Sequence, residues 1–445
     1  MKQNGELQVT DRLYFPSEVS FRPCNEGWLV VAVPTANWLV LPNDFQKTLL
    51  QHLIKGETIG EVFQLITTDE QLGDFKRLLA AISARSFALT TKAPQPSYHE
   101  GYRMLNIYLT NACNLRCPHC FMRSGQPLAN ELPTDEWLRI LSEFKAEGGE
   151  SVTFSGGEPL MNRDFETILT HAHQIGLSTT VLSNGILWTE AQIARLSPVI
   201  SEIQISIDGF DESSNAKIRG VGHFDRAVHN VILMANSGIR TSVATTFTFQ
   251  NLQDDTPERY AQMIRDIKSQ CQHPVFFKLS KKILQGRETH YTDAENREFY
   301  NRIIDIENQV DPNAKYVNFM EGHTPNQADR NCGFGGISIG ADGEVYYCNR
   351  ISEVESYGNI HGHPIKPFME KGHQLHLQTS VDSLHPCNKC HLRYICFGGC
   401  RIDECNFHGK LQHHDAPFLQ VKCSDDHIQR LERKMTDSYL YYYNF

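Results

Sequence analysis

The distribution of cysteine constrains this chain more than any other feature. Eleven of its thirteen cysteines fall into two groups, Cys113, Cys117 and Cys120 in one and the eight from Cys332 to Cys423 in the other, leaving Cys24 and Cys271 isolated. The opening stretch, MKQNGELQ, carries no secretory apolar core, so the thiols are expected to stay reduced in a cytoplasmic setting. Their grouping therefore reads as metal or cluster ligation before disulfides. With 42 Lys+Arg against 52 Asp+Glu the net charge is -10. That balance argues against nucleic acid and against an anionic membrane surface as partners, since both are bound by clustered positive charge. The most apolar early stretch, residues 28–41, is broken by Pro34, Thr35 and Asn37 and cannot span a membrane.

At 445 residues the chain should hold roughly two to four packed units. Residues 14–21, 28–33 and 38–41 pattern as short strands. Helical spacing then takes over: Phe45, Leu49 and Leu53 stop at Gly56, Ile59 to Ile66 follow a Thr58 cap, and Leu72, Phe75, Leu79 and Ile82 mark a third helix. A Pro- and Gly-bearing linker near residues 90–101 closes this unit. From Met104 strands and helices alternate, which implies a parallel sheet in an α/β fold. Leu105, Ile107 and Leu109 lie on a strand running into Cys113, Thr134 caps a helix through Trp137 and Phe144, and further strands are expected at residues 152–154, 177–182 and 203–207. SGGEP, SNG and DG follow those last three strands and should face one mouth, because ligand groups of parallel α/β barrels gather at C-terminal strand ends. Residues 291–330 read as a helix-containing connector, and the remainder as a cysteine-rich unit.

Cys113-x3-Cys117-x2-Cys120 places three thiolates in one loop after a strand, enough to hold three irons of a cubane and leave the fourth open. The spacing alone also suits zinc with a distant fourth ligand, although zinc sites usually show paired CxxC units. Together with SGGEPL at 155–160, LSNG at 182–185, and SIDG with IRGVG between 206 and 222, the segment NACNLRCPHC at 111–120 resembles the radical S-adenosylmethionine (SAM) superfamily. The resemblance covers residues 101–290 and implies a partial (β/α)6 TIM barrel in which the three cysteines hold a 4Fe-4S cluster and SAM chelates the free iron. It assigns cofactor contacts to Phe121, Gly156, Gly157, Glu158, Ser183, Asn184, Ser206, Asp208 and Arg219. Glycine lets main chain approach a ligand closely, and the Arg219 guanidinium offers a planar fork to a carboxylate. His119 stands where an aromatic residue is common.

The second group, Cys332, Cys348, Cys387, Cys390, Cys396, Cys400, Cys405 and Cys423, suits two four-cysteine iron-sulfur clusters or two structural zincs. Seven of the eight resemble the SPASM extension of peptide-modifying radical SAM enzymes, which favours iron. That resemblance implies an outer cluster on Cys387, Cys390, Cys396 and Cys423 and an inner one on Cys332, Cys348 and Cys400, making three 4Fe-4S clusters in all. Ser338 stands where related maturases carry a further cysteine. Cys405 is open between a fourth inner ligand, a catalytic hydrogen donor and a buried thiol. His361, His363, His413 and His414 are expected to be exposed loop residues.

Residues 1–95 resemble a winged-helix-like peptide-recognition unit that binds a leader peptide as an added strand. The chain as a whole is therefore expected to be a radical SAM/SPASM peptide maturase acting on a ribosomal precursor peptide, supplied with electrons by a flavodoxin or ferredoxin. A thioether or carbon crosslink is the first outcome, epimerisation or sulfatase-maturase-like oxidation the next, and an electron-transfer or carrier protein without SAM cleavage the alternative of another class.

Overall fold

The structure is a computed structural model that describes residues 7–88, 97, 98, 103–405, 407 and 419–443. Strands β1 (Val19–Cys24), β2 (Gly27–Ala32) and β3 (Asn37–Leu41) form an antiparallel sheet in that order, followed by helices α1 (Asp44–Ile54), α2 (Ile59–Phe63) and α3 (Asp69–Ala84). The β pattern at residues 14–21 becomes regular strand only from Val19. At the start of α2, Thr58 and Glu61 form a reciprocal capping box that satisfies two otherwise orphaned amides.

After β4 (Ser97–Tyr98) come six parallel strands: β5 (Met104–Tyr108), β6 (Ser151–Ser155), β7 (Ser178–Ser183), β8 (Glu202–Ser206), β9 (Arg240–Thr245) and β10 (Val275–Leu279). They pair in chain order. Between them run α4 (Thr134–Ala146), α5 (Phe165–Gln174), α6 (Glu190–Leu196), α7 (Glu212–Arg219), α8 (Phe224–Asn236) and α9 (Thr256–Ser269). Thr134 is the first residue of α4, not its cap; Pro133 takes that position, and the Thr134 hydroxyl donates to Asp164 at 2.6 Å. Each strand sorts its side chains with period two. Leu105, Ile107, Val152, Phe154, Ile203 and Ile205 are buried in one core with Trp137, Phe144 and Ile168 of the helices. Ser155, Gln204, Ser206 and Ala244 occupy the opposite face and line a central cavity.

The sheet stays open, since β10 pairs only with β9 among the described residues. The connector holds α10 (Asp293–Val310), α11 (Ala314–Glu321) and β11 (Gln327–Ala328), the last paired with β4. Beyond it, β12 (Ile337–Ile339) adds in parallel to β5 and β13 (Val345–Tyr346) follows antiparallel, so the cysteine-rich region continues the barrel sheet. The chain ends its described course through α12 (Lys366–Gln378), β14 (Leu384–His385), α13 (Arg393–Cys396), α14 (Arg401–Cys405), β15 (Leu419–Gln420) and α15 (Asp425–Tyr443). No described helix is long and apolar enough to cross a membrane.

A second core joins regions that the sequence reads as separate. Trp38, Leu39, Leu49 and Leu53 pack in one cluster with Val381, Leu384, Ile395, Met435 and Tyr439. Trp38 is fully buried, donates to the Met435 carbonyl at 3.3 Å, and meets the rings of Phe319 and His323 with centroids 5.7 and 5.6 Å away. The linker marks a change of pattern, while the N-terminal elements share one packed core with the cysteine-rich region.

Candidate active site and cysteine centres

The loops at the C-terminal ends of the barrel strands converge on one cavity of about 380 Å³. Its walls carry Cys113, Cys117 and Cys120 from the loop after β5, Gly156 and Gly157 after β6, and Ser183 and Asn184 at the end of β7. Phe121, Ser206, Asp208 and Arg219 complete the set expected from the sequence, except for Glu158.

The cysteine loop is fixed by its own backbone. The Cys113 amide donates to the Gly125 carbonyl at 3.0 Å, and the Leu115 amide donates to Cys113 Sγ at 3.4 Å. The three thiols pack beside Leu115, Ile186 and Ile218. Burial above all, with Glu158, Cys117 and Cys120 adding, pushes the Cys113 thiol up to about 11 against the pull of the Leu115 amide. Crowded, buried thiols ionise together only when positive charge joins them, so this donor set fits a metal–sulfur centre. No three His, Cys, Asp or Glu side chains among the described residues converge on a single-ion site. Three cysteines on one cavity wall suit a cluster in which each sulfur takes a different iron.

Gly156 and Gly157 form the bed of that loop. A Cβ on Gly156, whose φ is +129°, would lie 2.5 Å from the Thr110 carbonyl oxygen, and one on Gly157 would lie 2.2 Å from that of Ala112. The Gly157 and Glu158 amides donate to those same two oxygens at 2.8 and 2.9 Å. Glu158 itself is fully buried behind the cavity wall, where it accepts from the Ser183 hydroxyl at 2.7 Å and the Asn184 amide at 2.8 Å. Burial pushes its carboxyl up to about 7 in spite of these bonds. Asn184 in turn donates to Asn114 Oδ1 at 2.8 Å, tying β7 to the cysteine loop.

Across the cavity Arg219 Nε lies 2.7 Å from Asp208 Oδ2, and His119 Nε2 lies 3.4 Å from the same oxygen. Arg219 Nε and Asp208 Oδ2 are thus engaged with each other, whereas His119 Nδ1 is buried on the cavity wall without a hydrogen bond, as suits a polar ligand. Asp208 Oδ1 accepts from the Thr246 amide at 2.8 Å. Burial lowers the His119 pKa, which favours the neutral ring. Sequence reasoning missed Asn114, Gln204, Thr246, Ser280 and Lys282. Thr246 and Ser280 follow β9 and β10, whose ends the hydrophobic pattern does not mark; once those ends are known, the rule that finds Ser183 and Asp208 finds them too.

Of the other eight cysteines, Cys348 packs against the barrel core, Cys387, Cys390 and Cys396 against the second core, and Cys405 against both. Cys332 and Cys400 act electrostatically on both Cys348 and Cys405, and burial pushes each of the latter up to about 11. Cys396, Cys390 and Cys423 act likewise on Cys387, which burial pushes up to about 12. Cys405 thus lies within electrostatic reach of Cys332 and Cys400. Amides of Arg350 and Leu392 donate to Cys348 and Cys390 Sγ at 3.5 and 3.4 Å, and His427 Nε2 lies 3.3 Å from Cys396 Sγ. His361 and His363 are exposed, and His413 and His414 lie outside the described residues.

Residues 107–264 match the Radical SAM superfamily. The chain is 29% identical over 187 residues to the sporulation killing factor maturation protein SkfB of Bacillus subtilis, covering 41% of this chain and 43% of that protein's length. It is 26% identical over 333 residues to the AdoMet-dependent heme synthase of Nitratidesulfovibrio vulgaris, covering 68% of this chain and 88% of that protein. The structure of native anSMEcpe with bound AdoMet has the same fold, with a TM-score of 0.51 at 18% identity over 76% of this chain and 96% of that one.

Proposed function

We propose that the chain, whose residues 107–264 match the Radical SAM superfamily, modifies a ribosomally made precursor peptide by radical chemistry. The observation that carries this reading is the single cavity at the strand ends, where three free thiols face Ser183, Asn184, Asp208 and Arg219. Cys113, Cys117 and Cys120 would hold a 4Fe-4S cluster, with Ser206 and the four residues just named around SAM. When bound, that pair supplies a 5'-deoxyadenosyl radical able to take hydrogen from an unactivated C–H bond.

The protein's own work is to bind and orient. Asp208 keeps the Arg219 fork charged and aimed for a carboxylate. Glu158 fixes the Ser183 hydroxyl and the Asn184 amide. Gly156 and Gly157 set the height of the cysteine loop, and Phe121 and His119 add ring faces to the wall. Leu115, Ile186 and Ile218 keep water from the thiols.

The cysteines from Cys332 to Cys423 would hold two auxiliary 4Fe-4S clusters, Cys332, Cys348, Cys400 and Cys405 inside and Cys387, Cys390, Cys396 and Cys423 outside. A Cys405 committed to iron is not a free hydrogen donor, which favours a thioether or carbon crosslink over epimerisation. Sulfatase-maturase-like oxidation would use the same parts. The N-terminal unit, as a winged-helix-like domain over residues 1–95, would add the leader to β1. That edge has one partner and exposes Arg22 and Pro23, whereas every residue of β3 is buried. A flavodoxin or ferredoxin in the cytoplasm would supply electrons.

The long alignment with a heme synthase supports a second reading, a porphyrin as substrate; the N-terminal sheet favours the peptide. Anaerobically reconstituted protein given dithionite and SAM should release 5'-deoxyadenosine, and Cys117→Ala should not. A peptide encoded by a short reading frame beside the gene should lose about two mass units on crosslinking, or hold its mass and take deuterium from solvent on epimerisation. Iron-loaded protein that releases no 5'-deoxyadenosine refutes the proposal, and turnover of an iron porphyrin but of no peptide selects the second reading.

A further inference from the structure

Arg350 sits between the inner cysteines with every donor assigned. Its backbone amide points at Cys348 Sγ, 3.5 Å away. The side chain is only 16% exposed. A guanidinium has five N–H donors in a rigid plane. Here Nε and Nη2 donate to the two oxygens of Glu353, the Nη2 bond at 2.7 Å. Nη1 and Nη2 also fork onto Asp403, at 2.9 and 3.2 Å. The one remaining N–H, on Nη1, is aimed at Cys400 Sγ at 3.2 Å. Asp403 is held from the far side by Lys282 Nζ at 2.7 Å, and Lys282 lines the cavity of the barrel.

Two carboxylates thus clamp the arginine in one orientation, and that orientation aims its last donor at the Cys400 sulfur. Resting on the reading of Cys332, Cys348, Cys400 and Cys405 as iron-sulfur ligands, we propose that Arg350 is a positioning residue that sets the reduction potential of the inner cluster. A cationic N–H directed at a ligating sulfur stabilises the reduced, more negative state. Its loss also leaves Glu353 and Asp403 facing the cluster with only Lys282 to offset them. Both effects lower the potential. The outer set lies beyond reach of this fork, since Cys400 and Cys348 are the only sulfurs within hydrogen-bonding distance of Arg350 among the described residues.

The test uses the full chain with Cys113, Cys117 and Cys120 changed to alanine, so that only the auxiliary centres take iron. Iron and sulfide content, then a redox titration followed by electron paramagnetic resonance, are measured with and without Arg350→Gln. The expected result is unchanged iron and one of two signals shifted to a more negative potential by about tenfold in the reduction equilibrium, which is 59 mV for a one-electron couple. Arg350→Lys, which keeps the charge but not the fork, should fall between. Both potentials unchanged at full iron content overturns the proposal. If Arg350→Gln loses iron, Arg350→Lys decides: a potential more negative than the parent's supports the role and an unshifted one overturns it. A parent protein that binds no iron removes the iron-sulfur reading itself, a failure told apart by the iron assay, and the proposal goes with it.

Discussion

Gly157→Ala isolates the role of the loop bed from any direct contact with a ligand. The new methyl would sit 2.2 Å from the Ala112 carbonyl oxygen and 2.7 Å from its carbon, both backbone atoms that no rotamer change can clear. Either the Gly157 strand end or the cysteine loop must move by about an ångström in a close-packed site. Moving apart breaks the bonds from the Gly157 and Glu158 amides to Thr110 and Ala112, at about 1 kcal/mol each, and overpacking adds about 1–3 kcal/mol. The sum is about 3–5 kcal/mol, borne by the segment that carries the three thiols. A displacement of that size at a reacting centre costs on the order of 100-fold in rate. The assay is iron and sulfide per chain together with the initial rate of 5'-deoxyadenosine release. Gly73→Ala serves as the control: that glycine lies inside α3 with only the Arg77 side chain nearby at 3.4 Å, and the change should stabilise by about 0.5–1 kcal/mol. Gly157→Ala protein with the parent iron content and a rate within about twofold would refute the reasoning.

Other outcomes follow from the same geometry. Burial raises the Glu158 carboxyl to about 7 in the folded protein from an ordinary 4.5, so the folded state holds the proton more tightly than the unfolded one. Stability contributed by this group is therefore greatest below pH 4.5 and falls as pH rises through 7, by on the order of 3 kcal/mol in all. Glu158→Gln should flatten that slope in urea melts taken between the two pH values. Cys405→Ala should lose iron from one auxiliary set, whereas the isolated Cys271→Ala should lose none. Trp38→Ala should destabilise by about 3–5 kcal/mol and lower the denaturation midpoint of the N-terminal sheet and the cysteine-rich region together, as followed by proteolysis of each; a midpoint lowered in the sheet alone would contradict the shared core.

The parts legible in the sequence are those whose physics is local. Cys113, Cys117 and Cys120 lie in one loop, so their spacing is their chemistry. The helices at Leu49 and Phe75 repeat with the helical period, although in the second Leu78 and not the expected Leu79 is fully buried, and Thr58 with Glu61 writes the cap of α2 into four consecutive residues. What escaped depends on distant chain meeting. The three residues of β12 are too few to show any period, yet they extend the barrel sheet by pairing with β5 across some 230 positions. Glu158 reads as a ligand contact by its place in SGGEP, but its orientation is decided by Ser183 and Asn184, which only folding brings behind it. Arg350 carries no motif at all, and its meaning comes from Cys400, Asp403 and Glu353.

The shared core also limits how a bound peptide can act. Met435 and Tyr439 of α15 pack against Trp38, and the same helix begins two residues after Cys423. By strand register Arg22 lies on the same face as Trp38 and pairs with Glu432, which also bonds His391 beside Cys390, while Glu18 just before β1 pairs with Arg393, three residues before Cys396. On the proposed reading, a strand added to β1 would therefore press on elements that carry Cys390, Cys396 and Cys423. His391 and Glu432 are each only 16% exposed and Arg393 12%, so these pairs are held more firmly than surface ion pairs. With the Trp38 contacts they tie the sheet to the segments that carry Cys390, Cys396 and Cys423. Leader binding, on the proposed reading, is expected to be felt at those cysteines through both.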